Sequence, residues 1–253
     1  MARPRGTITV TVMTETVSQS ALYRLLTFLS PAFPIGAFTY SHGLEQVIED
    51  GGVTCAADLQ AWLQDILQFG AGRSDAILLK ETWNAANAGS QEQVLDLIEL
   101  GLALQPSRER HLETSAQGTA FIEAIHASWI PATVSPASQI FALLTDRETK
   151  NVPKQWPCPV ALGLVTAMHD IPEEASISSF LHAFTANLIS VAVRAVPLGQ
   201  NNGQKVLAAL EPVIFSVTRE ALEAGLDDLG TSTFLADIAS MAHETQYSRL
   251  FRS

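Results

Sequence analysis

TCAADLQAWLQDILQFGAGRSDAIL, residues 54–78, places apolar side chains at Leu59, Trp62, Leu63, Ile66 and Leu67. These positions run i, i+3, i+4, i+7 and i+8, one face of a helix with 3.6 residues per turn and not the alternating face of a strand. Thr54 stands where a hydroxyl can cap the first turn. Gly70 and Gly72 end the helix, and Ser74 is placed to cap a second one carrying Ile77 and Leu78.

The same period extends in both directions. Ser90 followed by Gln93 is a capping-box pattern ahead of Val94, Leu97, Ile98 and Leu102, and Pro106-Ser107 restarts a helix running to about Ser128. Toward the N-terminus, SPAFPIGAFTYSHGLE (residues 30–45) stops a first helix at Ser30-Pro31 and bends at Pro34 and Gly36. A second helix is expected from about Ala37 to Asp50, with Phe38, Ser41, Leu44 and Ile48 on one face and Gly43 thin enough for a neighbouring helix to come close. Residues 129–159 hold five of the twelve prolines and read as a loop or boundary with a short helix near 139–144. Helices resume at Pro159 and Pro172, the latter carrying Ile177, Phe180, Leu181, Phe184, Leu188 and Val191. Another spans about Asn202 to Ala224 and should kink at Pro212, and a last one begins near Ser232. Residues 1–17 alternate Thr with Ile8, Val10 and Val12, either a short edge strand or a loose arm. The expected architecture is all-α: a single multi-helix bundle of roughly eight to ten helices over residues 18–243, between an N-terminal arm (1–17) and a C-terminal tail (244–253).

Composition bounds the function. The 253 residues are 47% hydrophobic and 16% charged, which favours a large buried core. The net charge of −11 repels phosphate backbones, so nucleic acid is a poor partner, an anionic membrane is little better, and a basic protein fits. Two distant cysteines, Cys55 and Cys158, suggest a reducing compartment, and the N-terminus has no secretory apolar stretch. The most apolar run, Ala183 to Val193, is short for a membrane span. A soluble, cytoplasmic protein is expected.

Motifs for chemistry are mostly missing. The chain has no GxxxxGK[ST] and no GxSxG. His243-Glu244-Thr245-Gln246-Tyr247 has Tyr where a zincin needs its second His. The His and Cys residues form no local ligand motif. Glu173-Glu174 suit a helix N-terminus, and Asp227-Asp228 suit a turn. An autonomous metal-dependent hydrolase built around His42 and Glu45 stands as the alternative to a binding protein. Two lines of small residues, Ser115 to Ala120 and Ala183 to Ala195, fit either a tight core or a dimer interface. Arg194, in RAVPLGQNNGQ, either caps its own helix or reaches a partner. In the tail, Tyr247, Leu250 and Phe251 are interleaved with Arg249 and Arg252; they are anchors of a recognition segment, or else the tail folds back on its own domain.

Four blocks in this order, SPAFPIGAFTYSHGLE, SRERHLETSAQG, NLISVAVRAVPLGQNNGQ and HETQYSRLFRS, resemble the urease accessory protein UreF family over about residues 20–253. The resemblance implies an all-helical, dimerising protein that is not an enzyme and has no resident cofactor. It implies binding to the accessory protein UreD (UreH in some organisms), recruitment of the GTPase UreG, and docking of the complex on apo-urease for nickel insertion, with nickel transiting as cargo. Matched residue by residue, Tyr247, Arg249, Leu250, Phe251, Arg252 and Ser253, with the helix before them, fall in the segment that packs on UreD. Arg194, Gly199 and Gln200 form the RxxPLGQ corner, to which the resemblance assigns partner contact. Pro34, Gly36, Tyr40, Ser41, His42, Gly43 and Glu45 form the family signature. Cys158 departs from the pattern, where an aromatic residue or His is more usual.

Overall fold

Residues 54–78 fold into two helices, α3 (Ala56–Phe69) and α4 (Ala71–Asn87), but their caps differ from the expected ones. The α3 N-cap is Cys55, and the capping is done by the Asp58 carboxylate, which accepts from the Thr54 N–H (3.0 Å), the Thr54 hydroxyl (2.8 Å) and the Cys55 N–H (3.2 Å). Gly70 serves both as C-cap of α3 and N-cap of α4. A Cβ there would lie 2.7 Å from Thr233 Oγ1 and 3.0 Å from the Ile66 carbonyl oxygen, so the junction requires glycine. Ser74 therefore lies inside α4, where its hydroxyl donates to the Gly230 carbonyl (2.9 Å).

The computed structural model describes residues 16–146, 148 and 152–252, so the Thr/Val alternation at Ile8, Val10 and Val12 and the terminal Ser253 lie outside the described residues. The other elements are α1 (Gln19–Phe28), a 3-10 turn (Ala37–Thr39), α2 (Leu44–Glu49), α5 (Gln91–Ala103), α6 (Arg108–Ser128), α7 (Pro136–Thr145), α8 (Cys158–Met168), α9 (Glu173–Ala195), α10 (Gln200–Glu223), a second 3-10 turn (Leu226–Asp228) and α11 (Phe234–His243). Among the described residues every regular element is helical, and the all-α expectation holds. Side-chain caps at Ser18, Ser90, Ser107 and Ser135 set the starts of α1, α5, α6 and α7.

Helix α8 lies at the centre, with Pro159 through Met168 all buried, and packs on α4, α6 and α7. A helix that is apolar all round belongs inside. Two glycines let the backbones meet. At Gly163 a Cβ would lie 2.5 Å from the Leu79 carbonyl oxygen, and at Gly118 it would lie 2.0 Å from that of Trp156. The small residues of α6 thus include a core contact at Gly118. The substitution Gly118→Ala is expected to cost about 3 kcal/mol or more, because the methyl meets fixed backbone and the helices must separate. Urea unfolding measures this; a change under about 1 kcal/mol would contradict the packing.

Helix α9 is long and apolar enough to cross a membrane by length and composition, but half of its most apolar window is buried, and the helix packs on α10, α4 and α2, as a core helix does. Helix α10 continues through Pro212, whose missing N–H frees the carbonyl of exposed Ala208 to bond water.

The expected helix from Ala37 to Asp50 does not form as one piece. The 3-10 turn ends at Thr39, Tyr40 is extended, and His42 (φ 58°) and Gly43 (φ 76°) are left-handed before α2 begins. Gly43 faces α11, where a Cβ would come within 2.9 Å of Ser240 N. The break buries Tyr40, Ser41 and His42 and leaves Phe38 exposed, so Phe38 does not share the face of Ser41 and Leu44.

Candidate functional site

Three helix ends meet beneath the tail. Glu45 is in the first turn of α2 and Glu109 in the first turn of α6, where the helix dipole favours a carboxylate; His243 is in the last turn of α11, where it favours a cation. His243 lies between the acids, with Nδ1 2.5 Å from Glu109 Oε2 and Nε2 2.9 Å from Glu45 Oε2. Its ring is wholly buried, and both carboxylates are nearly so. Helix α11 is tied further to the start of α6: the Ser240 hydroxyl bonds that of Ser107 (3.0 Å), and the Glu244 carboxylate accepts the Arg108 N–H (2.9 Å).

The tail closes over this seam. Glu45 accepts the N–H groups of Leu250 (2.6 Å) and Phe251 (3.1 Å), and Arg249 pairs with Glu109 Oε1 at 2.5 Å. The Arg252 N–H donates to the Thr39 carbonyl (2.8 Å), and Gln246 donates to Glu49 (2.6 Å). Arg194 donates to the carbonyls of Ser190 (3.1 Å) and Phe38 (2.9 Å), and its guanidinium lies 4.5 Å from the centre of the Phe251 ring. Arg194 thus joins α9, the signature turn and the tail. Phe251 is 5% exposed, whereas Leu250 is 74% exposed and Tyr247 fully so. Gly199 (φ 71°) turns the chain into α10 with open space around it, and Gln200 beside it is exposed.

A second charged cluster lies one turn deeper on α6. Arg110 pairs with Glu113, and His42 Nδ1 lies 3.7 Å from Glu113 Oε1. Burial pushes the Glu113 carboxyl up, but the Arg110 charge, with the nearby His42 imidazole, outweighs it and holds the group at about 2. Burial, helped by Arg110, lowers His42 to about 4, so it is neutral at pH 7. Burial raises the Asp75 carboxyl to about 7, with Arg110 opposing and Glu113 reinforcing. Burial, with Asp75 and Glu113, raises the Cys158 thiol to about 12; it is no nucleophile.

A raised carboxyl favours the fold most below its unfolded value near 3.8 and loses that contribution as pH climbs through 7. Asp75→Asn is therefore expected to stabilise the fold more at pH 8 than at pH 5 by at least about 1 kcal/mol, the gain vanishing only below about pH 4, read by urea unfolding at the two values. An equal effect at both would contradict a buried, titrating Asp75.

The pattern does not make an enzyme site. His42 and Glu45 belong to different clusters, one turned to Glu113 and the other to His243 and the tail amides, so the hydrolase alternative loses its convergent pair. Among the described residues no group of three His, Cys, Asp or Glu side chains is arranged to hold a metal ion. The cavity beside His42, Asp75 and Arg110 is about 90 Å³, room for a few waters and too small for most substrates.

The outer face of α11 is the other distinctive surface. Its inward residues are the small Ala236, Ala239 and Ser240 with His243, because Gly43 brings the helix close. Its large apolar residues point outward: Phe234 is 69% exposed, Leu235 73%, Ile238 59% and Met241 48%. Phe69, half exposed, adds to this face beside a groove shared with Trp62, Phe234 and Leu235. Sequence reasoning placed a partner contact on the helix before the tail but named none of these residues. It also missed Asp75, Glu109, Arg110 and Glu113; the available signal was the run of charges at 109, 110 and 113 in a helix whose 113, 114, 117 and 118 are buried.

The family model described as UreF matches residues 53–211. The urease accessory protein UreF of Rhodopseudomonas palustris strain HaA2 is 49% identical, covering 92% of this chain and 94% of the relative. That of strain BisB5 is 46% identical over the whole of both chains. That of Bradyrhizobium diazoefficiens is 46% identical over 92% of each. These relatives are named as accessory proteins and not as enzymes. The chain belongs to the UreF family of urease accessory proteins.

Proposed function

We propose that the chain is a cytoplasmic adaptor in the assembly of the urease nickel centre. It holds UreD (UreH) through α11 and the C-terminal tail and presents the GTPase UreG to apo-urease, with nickel as cargo of the complex. The observation that carries this reading is the outward apolar face of α11, continuous in sequence with exposed Tyr247 and Leu250. Exposed apolar area of this kind marks a protein-binding surface. The chain's net charge of −11 suits a basic partner around that apolar centre. Arg194, Gly199 and Gln200 form a second contact beside the tail. The signature corner from Pro34 to Glu45 shapes the seat of the tail and performs no chemistry.

The chain works as a homodimer in this reading. Half-exposed Ala183 on α9 borders a groove of about 660 Å³ with exposed Leu22 and Leu26 of α1 and Phe215 of α10. A small residue there lets a second copy approach closely. The test of function is reconstitution of UreD, UreG, apo-urease, nickel and GTP with and without this chain. Nickel-dependent urea hydrolysis should require it, and equal activity in its absence would sink the reading.

A further inference from the structure

We propose that Glu45, His243 and Glu109 hold the C-terminal tail closed through one shared extra proton, and that the tail opens when this proton is lost. The argument is a count of hydrogens. A neutral imidazole has one N–H and one lone pair, and an ionised carboxylate can only accept. Yet both ring nitrogens of His243 lie within hydrogen-bond distance of a carboxylate oxygen, at 2.5 and 2.9 Å. With neutral His243 and two ionised glutamates, one of these contacts would set two lone pairs against each other in a buried site. One further proton, on the ring or on a carboxyl, makes both contacts hydrogen bonds.

The charges agree with this count. With the proton the trio carries −1, and Arg249 on Glu109 brings the cluster to zero, as suits side chains so little exposed. The groups facing the ring are Glu45 from α2 and Glu109 from α6, with Arg249 of the tail behind Glu109. Nearby charges are engaged elsewhere: Glu244 accepts the Arg108 N–H, Glu49 accepts from Gln246, and Arg110 pairs with Glu113.

The trio and the tail share the same atoms. Glu45 Oε2 meets both His243 Nε2 and the Phe251 N–H, while Oε1 takes the Leu250 N–H. The tail follows directly from α11, whose last residue is His243. When the proton leaves, His243 is repelled by one of its two acids, α11 loses its hold on α2 or α6, and the tail amides lose their place on Glu45. That the freed segment is then offered to a partner rests on the function proposed above; the proton clasp itself does not.

The test uses the full chain alone, by NMR from pH 6 to 9. The Leu250 and Phe251 amide exchange rates, divided by their intrinsic rates, give an opening constant. Above the titration of the trio it should rise about tenfold per pH unit, the slope of a single proton. Glu109→Gln supplies the second hydrogen as an amide and keeps an oxygen for Arg249, so its opening constant should be flat with pH. Protection of α3 amides over the same range reports that the fold is intact. Ring ¹⁵N shifts of His243 in the unmutated chain give an independent measure and should titrate with the opening. The proposal is overturned if the protected amides show no pH slope, if Glu109→Gln keeps the slope, or if the tail amides are unprotected throughout. Capture of UreD is scored separately at fixed pH: its failure beside an intact slope would sink the partner reading and leave the clasp standing.

Discussion

Arg110→Met is expected to lower stability by about 3–5 kcal/mol in urea unfolding at pH 7, a large share of the ~5–15 kcal/mol that holds a typical domain together. Arg110 and Glu113 are both nearly buried, and the arginine charge is what keeps Glu113 ionised against its own desolvation. Methionine fills similar space but takes the arginine charge away from the buried Glu113 carboxylate. The pH dependence gives the sign. In the unmutated chain Glu113 titrates lower folded than unfolded, so its contribution is present above about 4.5 and is lost as pH falls through about 2. Without Arg110, desolvation dominates and the folded carboxyl titrates above its unfolded value. The penalty should therefore shrink as pH falls toward 4, because Glu113 can then take up a proton. Arg249→Met is the contrast: its side chain is 37% exposed and its pair with Glu109 is partly solvated, so a loss of about 1 kcal/mol or less is expected. Equal losses at the two sites would mean that burial does not set the energetics of the seam.

The helices were legible because their signals are local. Leu59, Leu63, Ile66 and Leu67 announce α3 by spacing alone, and the serines at 90 and 107 stand directly before their helices. Where a boundary depends on a distant neighbour, the local signal misleads. Ser74 looks like a cap until Gly70, pressed against Thr233, caps α4 four residues earlier. The stretch from Ala37 to Asp50 reads as helix until α11 arrives at Gly43 and the chain turns left-handed at His42. The seam is the extreme case. Glu45, Glu109 and His243 are brought together from three separate helix ends, and no pairwise spacing predicts that. The tail folds back on its own domain only in part: Phe251 and Arg249 turn inward, while Tyr247 and Leu250 face solvent.

That division of the tail makes the α11 face the sharper place to test partner binding. Deleting residues 244–253 would remove exposed side chains and the closure of the seam together, and a loss of binding would not say which mattered. Changing Leu235, Ile238 and Met241 to serine removes apolar area only from positions that are already about half exposed or more. Each change should alter folding by no more than about 0.5 kcal/mol, because nothing in the core loses a neighbour. If this face is the centre of the UreD interface, the same residues are its buried anchors, and such anchors are worth about 2 kcal/mol or more each. The triple variant should then bind UreD at least about a hundredfold more weakly while keeping the unfolding midpoint of the unmutated chain. The defect should persist at high salt, since burial of apolar area is not screened, whereas an interface held by the −11 charge alone would weaken with salt in the unmutated chain too. Unchanged affinity in the triple variant, with Tyr247 and Leu250 intact, would move the interface off α11 and leave its outward leucine and isoleucine without a role.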